Sequence, residues 1–244
     1  MPSQPDAVSA EAAAPAPRDG QEDAGETGAA AGRLQPSSSF TRHQLFYLVV
    51  LDGLGGMALS GGINFAIAYG MYTAANTTQN PIRLFQLPNT LAGDAAVTII
   101  VQCIITWIIE AILVSHDLSQ GSVQPIGFVS EPSNRLLRYL FLLPADPDAT
   151  PAPVRIFGFL ALIQHAARGF LCAVVSFLPI WPITIGLLIA AGHRNGGDWE
   201  YEKRWTPQVF KLLLGGILGL VTTPFMAWFW LVRAGWEAKH QAEP

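Results

Sequence analysis

Five polar residues, Asp94, Thr98, Gln102, Thr106 and Glu110, recur at every fourth position of DAAVTIIVQCIITWIIEAIL, residues 94–113. On an α-helix that spacing stacks them along one face. Carboxylates flanking hydroxyl and amide groups on a single stripe have three uses: bonding to another helix, guiding a solute or ion, or acid–base catalysis. A second row, Asp52, Gly56, Ser60 and Asn64, has carboxylate, hydroxyl and amide groups at the same spacing. The candidate polar residues are therefore Asp52, Asn64, Asp94, Gln102 and Glu110.

The helix that carries the stripe is otherwise suited to hydrocarbon. Its ten Val, Ile and Leu residues favour insertion by roughly 0.3–0.6 kcal/mol each, about 3–6 in total, while a carboxylate at the centre costs about 2.5–3.5. Asp94 and Glu110 stand near opposite ends, so each costs less. The balance favours a membrane span whose polar face turns toward protein or water. Composition agrees: 13% of residues are charged and half are hydrophobic, against roughly 25% charged in a soluble domain.

Three further segments reach the length of about 20 residues that crosses about 30 Å of hydrocarbon. The spans fall near residues 45–74, 94–114, 169–191 and 212–232, the first bent by its glycines, the third interrupted by Pro179 and Pro182 and the fourth by Pro224. NRLLRYLFLL (134–143) and VRIFGFLALIQHAAR (154–168) are short and basic, which predicts helices lying at the interface, although the second can extend the third span. The fold class is all-α, a polytopic integral membrane protein.

Residues 1–44 are Ala, Pro, Ser, Gly and Glu in low-complexity order, which predicts a disordered cytoplasmic tail. The tail lacks the basic start and apolar core of a secretory signal, and its acids (Asp6, Glu11, Asp19, Glu22, Asp23, Glu26) oppose a mitochondrial presequence. With both ends inside, the inner side holds nine of the 14 basic residues, the cytoplasmic bias of membrane proteins. Residues 234–244 then form a short cytoplasmic tail, and the Asn76-Thr77-Thr78 sequon falls outside.

The polar stripe needs a partner surface. Ala58, Gly62, Ala66 and Gly70 form a small-xxx-small row beside the Asp52, Gly56, Ser60, Asn64 row, so close packing of the first span on the second is expected, with Gly56, Gly62, Ala66 and Gly70 at the contact. Asp52 and Glu110 share a depth on the cytoplasmic side, and two carboxylates at one level need a cation or a proton. Arg168 and Arg233, at the same side of spans three and four, are the expected ion-pair partners.

Other motifs point away from catalysis. Gly53-x-Gly55-x-x-Ala58 mimics a dinucleotide fingerprint, but the apolar run continues beyond it and no βαβ pattern follows. Ser60 lacks the first glycine and the strand–turn–helix setting of a nucleophile elbow. His43, His116, His165, His193 and His240 flank the spans without metal-ligand spacing and read as interfacial anchors, as do Trp199, Trp205, Trp228, Trp230 and Trp236. Cys103 and Cys172 lie inside apolar runs. Asp198, Glu200 and Glu202 read as a solvated outer loop.

The runs IRLFQLPNTLAGDAAVTIIVQCIITWIIE (82–110) and WTPQVFKLLLGGILGLVTTPFMAWFW (205–230) resemble a fungal family of small multi-span membrane proteins whose function is not assigned. The resemblance implies a membrane protein of eukaryotic source and supplies no catalytic residue, cofactor or substrate. In the distinctive turn after Pro88, Asn89 or Thr90 caps the second span and Asp94 sits near its positive end. The function expected is that of a membrane-embedded interaction or scaffold protein, with a small-solute or ion transporter as the alternative. Its partners are the lipid bilayer and a second copy or another membrane protein; neither nucleic acid, metal nor cofactor is expected.

Overall fold

The computed structural model describes residues 34–76, 79–146, 149, 151, 155–201 and 205–242. Helices α1 (Arg42–Ala74) and α2 (Leu91–Ser119) come first, then the short α3 (Arg135–Leu140), then α4 (Phe159–Ala191) and α5 (Thr206–Ala242). All but α3 are long and apolar enough to cross a membrane. Strands β1 (His193–Asn195) and β2 (Asp198–Glu200) form an antiparallel hairpin between α4 and α5.

Local chemistry starts the helices. Thr41 and Gln44 make a reciprocal capping box for α1, each side chain accepting the other's backbone N–H at 3.1 and 3.0 Å. Thr90 caps α2 by accepting from Gly93 N. Tyr47–Gly55, within α1, is π-helical. The expected interruptions at Pro179, Pro182 and Pro224 are absent, because α4 and α5 run through them. Opening an apolar helix exposes more backbone than a proline frees.

The long helices alternate in direction, and α5 is the central one: α1 and α2 both pack on it, while α4 packs on α2. The α1–α5 contact is made by small residues on both sides. A Cβ added to Gly219 stands 2.6 Å from the Gly56 carbonyl, and one added to Gly61 stands 3.0 Å from the Leu212 carbonyl. The row Asp52, Gly56, Ser60, Asn64 therefore meets Gly215, Gly219 and Thr223 of α5. Close packing of the first span on the second was the expectation, and it is corrected here. The facing side of α2 carries long Gln and Glu side chains, whereas α5 has the glycines that let backbones approach. The row Ala58, Gly62, Ala66, Gly70 faces outward, and Gly62 and Gly70 have nothing within 4 Å of an added Cβ.

A buried aromatic cluster joins α2, α5 and the segment after α3. Trp107 stacks near Phe229 and Trp230, and Phe141 packs on Phe229 and Trp236. Trp230 and Trp236 are thus core residues and not belt anchors. His165 is also buried. Its Nδ1 accepts from Trp107 Nε1 at 3.3 Å and its Nε2 faces the Arg155 carbonyl at 3.2 Å, which assigns the proton to Nε2. Residues 159–168, expected as a separate interfacial helix, are the first turns of α4.

Residues 34–44, expected within a disordered tail, are held. Ser37 N donates to the Pro125 carbonyl (2.9 Å), Gly127 N to the Ser37 carbonyl (3.0 Å), and buried Gln44 reaches the Gln124 carbonyl (2.8 Å). The rest of that tail, with Thr77 and Thr78 of the sequon and Glu202, lies outside the described residues. At the opposite end the hairpin is clamped to residues 82–86: Leu84 N donates to the Trp199 carbonyl, and the Asp198 carboxylate accepts from Phe85 and Gln86 N–H. Asp198 is only 2% exposed, so this is a built cap where a solvated loop was expected. Tyr201 Oη donates to the Leu188 carbonyl at 2.9 Å.

Two outcomes follow from this packing. Gly219→Leu should cost about 1–3 kcal/mol as overpacking, while Gly62→Leu should stay within about 0.5 kcal/mol of the native chain, read as unfolding in mild detergent. Burial, and then the nearby Asp198, push the Tyr201 phenol from 10.0 to about 12. The neutral form is favoured by folding, so its contribution is complete below pH 10.0 and disappears as pH rises through about 12. Tyr201→Phe should remove that alkaline step from a pH titration of stability.

Candidate functional site

Because α1 leans on α5, it stands away from α2 across a groove of about 610 Å³. Leu59, Ile63 and Ile67 line it from α1 and Val101, Ile105 and Ile109 from α2, all exposed. The polar stripe of α2 lies at its floor, with Lys211 and Thr223 supplied by α5. Long polar side chains bridge α1 to α2 at successive levels: Tyr47 Oη to Asp117 (2.7 Å), Asn64 Nδ2 to Gln102 Oε1 (2.9 Å) and Tyr72 Oη to Asp94 (3.2 Å).

At one end Asp94 is fully engaged. Lys211 Nζ donates to its Oδ1 at 2.8 Å and Tyr72 to its Oδ2, and Lys211 also donates to Thr98 Oγ1. Both members of this ion pair are at most one-tenth exposed. At mid-groove, Asn64 donates to the Ser60 carbonyl and to Gln102, and Gln102 Nε2 donates to the Gly215 carbonyl at 3.0 Å. This chain ties three helices together.

The other end differs. Glu110 is 4% exposed, and its Oε2, like Asp52 Oδ2, is buried without a hydrogen-bond partner among the described residues. Both residues line the groove. Asp52 belongs to the π-helical stretch of α1, a geometry that recurs at functional sites.

The arginines expected to serve these acids bond elsewhere. Arg168 donates to the Tyr139, Leu140 and Gln164 carbonyls and lies 5.0 Å from the Tyr139 ring centre. Arg233 pairs with Glu237 at 2.9 Å, one turn along the same helix. Carbonyls freed where α3 ends are nearer to Arg168 than any carboxylate on α2, and an i,i+4 partner is the cheapest for Arg233 to hold.

Lys211 stands one residue before the span expected at 212–232, yet it completes the site. The signal was its depth: Lys211 stands five residues into α5 and Asp94 three into α2, and these helices run in the same direction. Among the described residues, no three His, Cys, Asp or Glu side chains come together as a metal site. The groove's chemistry is that of binding: apolar walls, a polar floor bonded from Asp94 to Gln102, and at the other end two buried carboxylate oxygens without a donor among the described residues.

Residues 151–231, which include α4 and much of α5, match the model of a family described as a protein of unknown function (DUF2456). An uncharacterized protein of Schizosaccharomyces pombe is 39% identical over 207 residues, covering 83% of this chain and 41% of that protein. The chain is similar to a fungal family of unassigned function. An uncharacterized protein of Saccharomyces cerevisiae is 27% identical over 238 residues, covering 74% of this chain and 75% of its own length. The chain thus spans about two fifths of the fission-yeast relative. No solved structure matches.

The Lys211–Asp94 pair generates a prediction. Lys211→Met should cost about 3–5 kcal/mol, because it leaves a buried carboxylate without its cation. Adding Asp94→Asn should recover most of the loss, measured as thermal unfolding in mild detergent.

Proposed function

We propose that the chain is a multi-pass membrane protein that works as an interaction protein, holding a transmembrane helix of another membrane protein in the α1–α2 groove. One observation carries this reading: the groove is about as long as a bilayer is thick. Its α1 wall extends from Leu51 to Met71, roughly 30 Å at 1.5 Å per residue, which matches the hydrocarbon core of about 30 Å. A lipid of one leaflet covers half that length, and a spanning helix covers all of it. Apolar walls, with a floor that is bonded from Asp94 to Gln102, suit a partner that is apolar over most of its length.

The polar column from Asp94 to Glu110 favours a second reading, a path for a small solute or ion. Against it, Asn64, Gln102 and the Gly215 carbonyl spend their bonding on one another at the middle of the groove. Lys211 likewise neutralises Asp94 at one end.

A photo-reactive side chain placed at Ile105, inside the groove, should capture a membrane protein in native membranes. One placed at Val175, 70% exposed on α4, should not. Capture of lipid alone at Ile105 would contradict the reading. Flux of solutes through vesicles holding the purified chain, abolished by Glu110→Gln, would favour the transporter.

A further inference from the structure

At the Asp52–Glu110 end, the floor of the groove has an unmet need. Glu110 is buried to 4% exposure with Oε2 unpartnered, and Asp52 Oδ2 is unpartnered beside the same space. The carboxylates of Asp52, Glu110 and Asp117 are close enough to repel one another. Asp117 has a donor in Tyr47. Among the described residues, the basic groups expected at this depth are committed elsewhere, Arg168 to carbonyls and Arg233 to Glu237, and Lys211 is held at the far end of the groove.

Depth narrows what can answer this need. Measured from the middle of the groove, whose walls run from Leu51 to Met71 on α1 and from Asp94 to Leu113 on α2, Glu110 lies roughly 10 Å and Asp52 roughly 14 Å toward the same end at 1.5 Å per residue. A hydrocarbon core with a half-thickness of about 15 Å puts Glu110 about 5 Å beneath the headgroups and Asp52 at their edge. A lipid amine stays in the headgroup layer. A Lys or Arg on a helix seated in the groove brings its charge to that depth on a flexible stem.

We infer that the Asp52–Glu110 site takes the basic side chain of the partner's transmembrane helix, so that the groove selects helices carrying a Lys or Arg about seven residues to the cytoplasmic side of their middle. This inference rests on the groove reading above and names its partner's chemistry. The charge pair forms when the helix is seated, because among the described residues neither carboxylate has a donor at those oxygens. A helix with an apolar residue at that level leaves the acids as they were, so the site discriminates by unmet charge as well as by attraction.

The test uses the full chain in phosphatidylcholine vesicles with a designed single-span helix of about 21 Leu and Ala residues, labelled for energy transfer. Three versions are compared: a Lys at the matching depth, the same Lys at the opposite end, and none. The matched Lys helix should associate about tenfold more tightly than the other two. In Glu110→Gln combined with Asp52→Asn, all three should bind alike at the weaker level. Equal binding of the three to the native chain would overturn the inference while leaving the groove reading intact. Absence of binding by every version, or binding unchanged by Ile105→Trp, would overturn both. Loss of the Lys preference when phosphatidylethanolamine replaces phosphatidylcholine would assign the site to a lipid amine instead. The comparison among helices on the native chain stands even where the variant fails to fold.

Discussion

The backbone contact between α1 and α5 decides where everything else goes. Gly215, Gly216 and Gly219 remove the side chains that would hold two helices apart, and Gly56, Ser60 and Gly61 answer from α1. In the bilayer that the proposed function assigns to these helices there is no hydrophobic gain to draw on, so dispersion at close range and a few interhelical bonds would supply the association. α1 is held against α5, and α2 packs on another part of α5, so α1 and α2 do not close on each other. The groove is the geometric remainder of that choice.

The stripe on α2 then divides into parts with different work. Asp94, Thr98 and Lys211 form a buried, fully bonded ion pair between two helices that run in the same direction. Gln102 links α1 to the α5 backbone through Asn64 and the Gly215 carbonyl, so the glycine that permits the close approach also offers its carbonyl to the amide. Toward Glu110 the stripe ends on an oxygen with no donor among the described residues. A buried acceptor in that state costs more than a bonded one, and a fold keeps such a cost more readily at a site of binding than at one of packing.

The class of the fold was legible because it depends on sums: runs of apolar residues of sufficient length appear in any hydropathy reading, and all four long helices lie where those runs do. The inward face of the stripe was legible because a fourth-residue period needs no knowledge of the partner. Which helix is the partner was not legible. Two small-residue rows on α1, one through Gly56 and one through Gly62, differ by less than a helical turn, and only the glycines of α5 decide that the first is covered and the second is not. Lys211 was missed because it stands at the edge of its span, where a basic residue ordinarily belongs to a loop. The pairing of Arg168 and Arg233 failed for a related reason: helix-end carbonyls and a neighbouring Glu237 compete locally, and charge counting by depth does not see them.

The arrangement of α1 between its two neighbours is tested most directly by oxidative cross-linking of cysteine pairs in native membranes, with Cys103→Ser and Cys172→Ser removing the chain's own thiols. Gly61→Cys with Gly216→Cys joins positions whose Cβ and Cα atoms lie 3.4–3.9 Å apart across the α1–α5 contact. Ile63→Cys with Ile105→Cys faces across the groove. The first pair should form a disulfide rapidly and the second should not. Rapid bridging of Ile63→Cys to Ile105→Cys, with none between positions 61 and 216, would show α1 packed on α2 and would remove the groove.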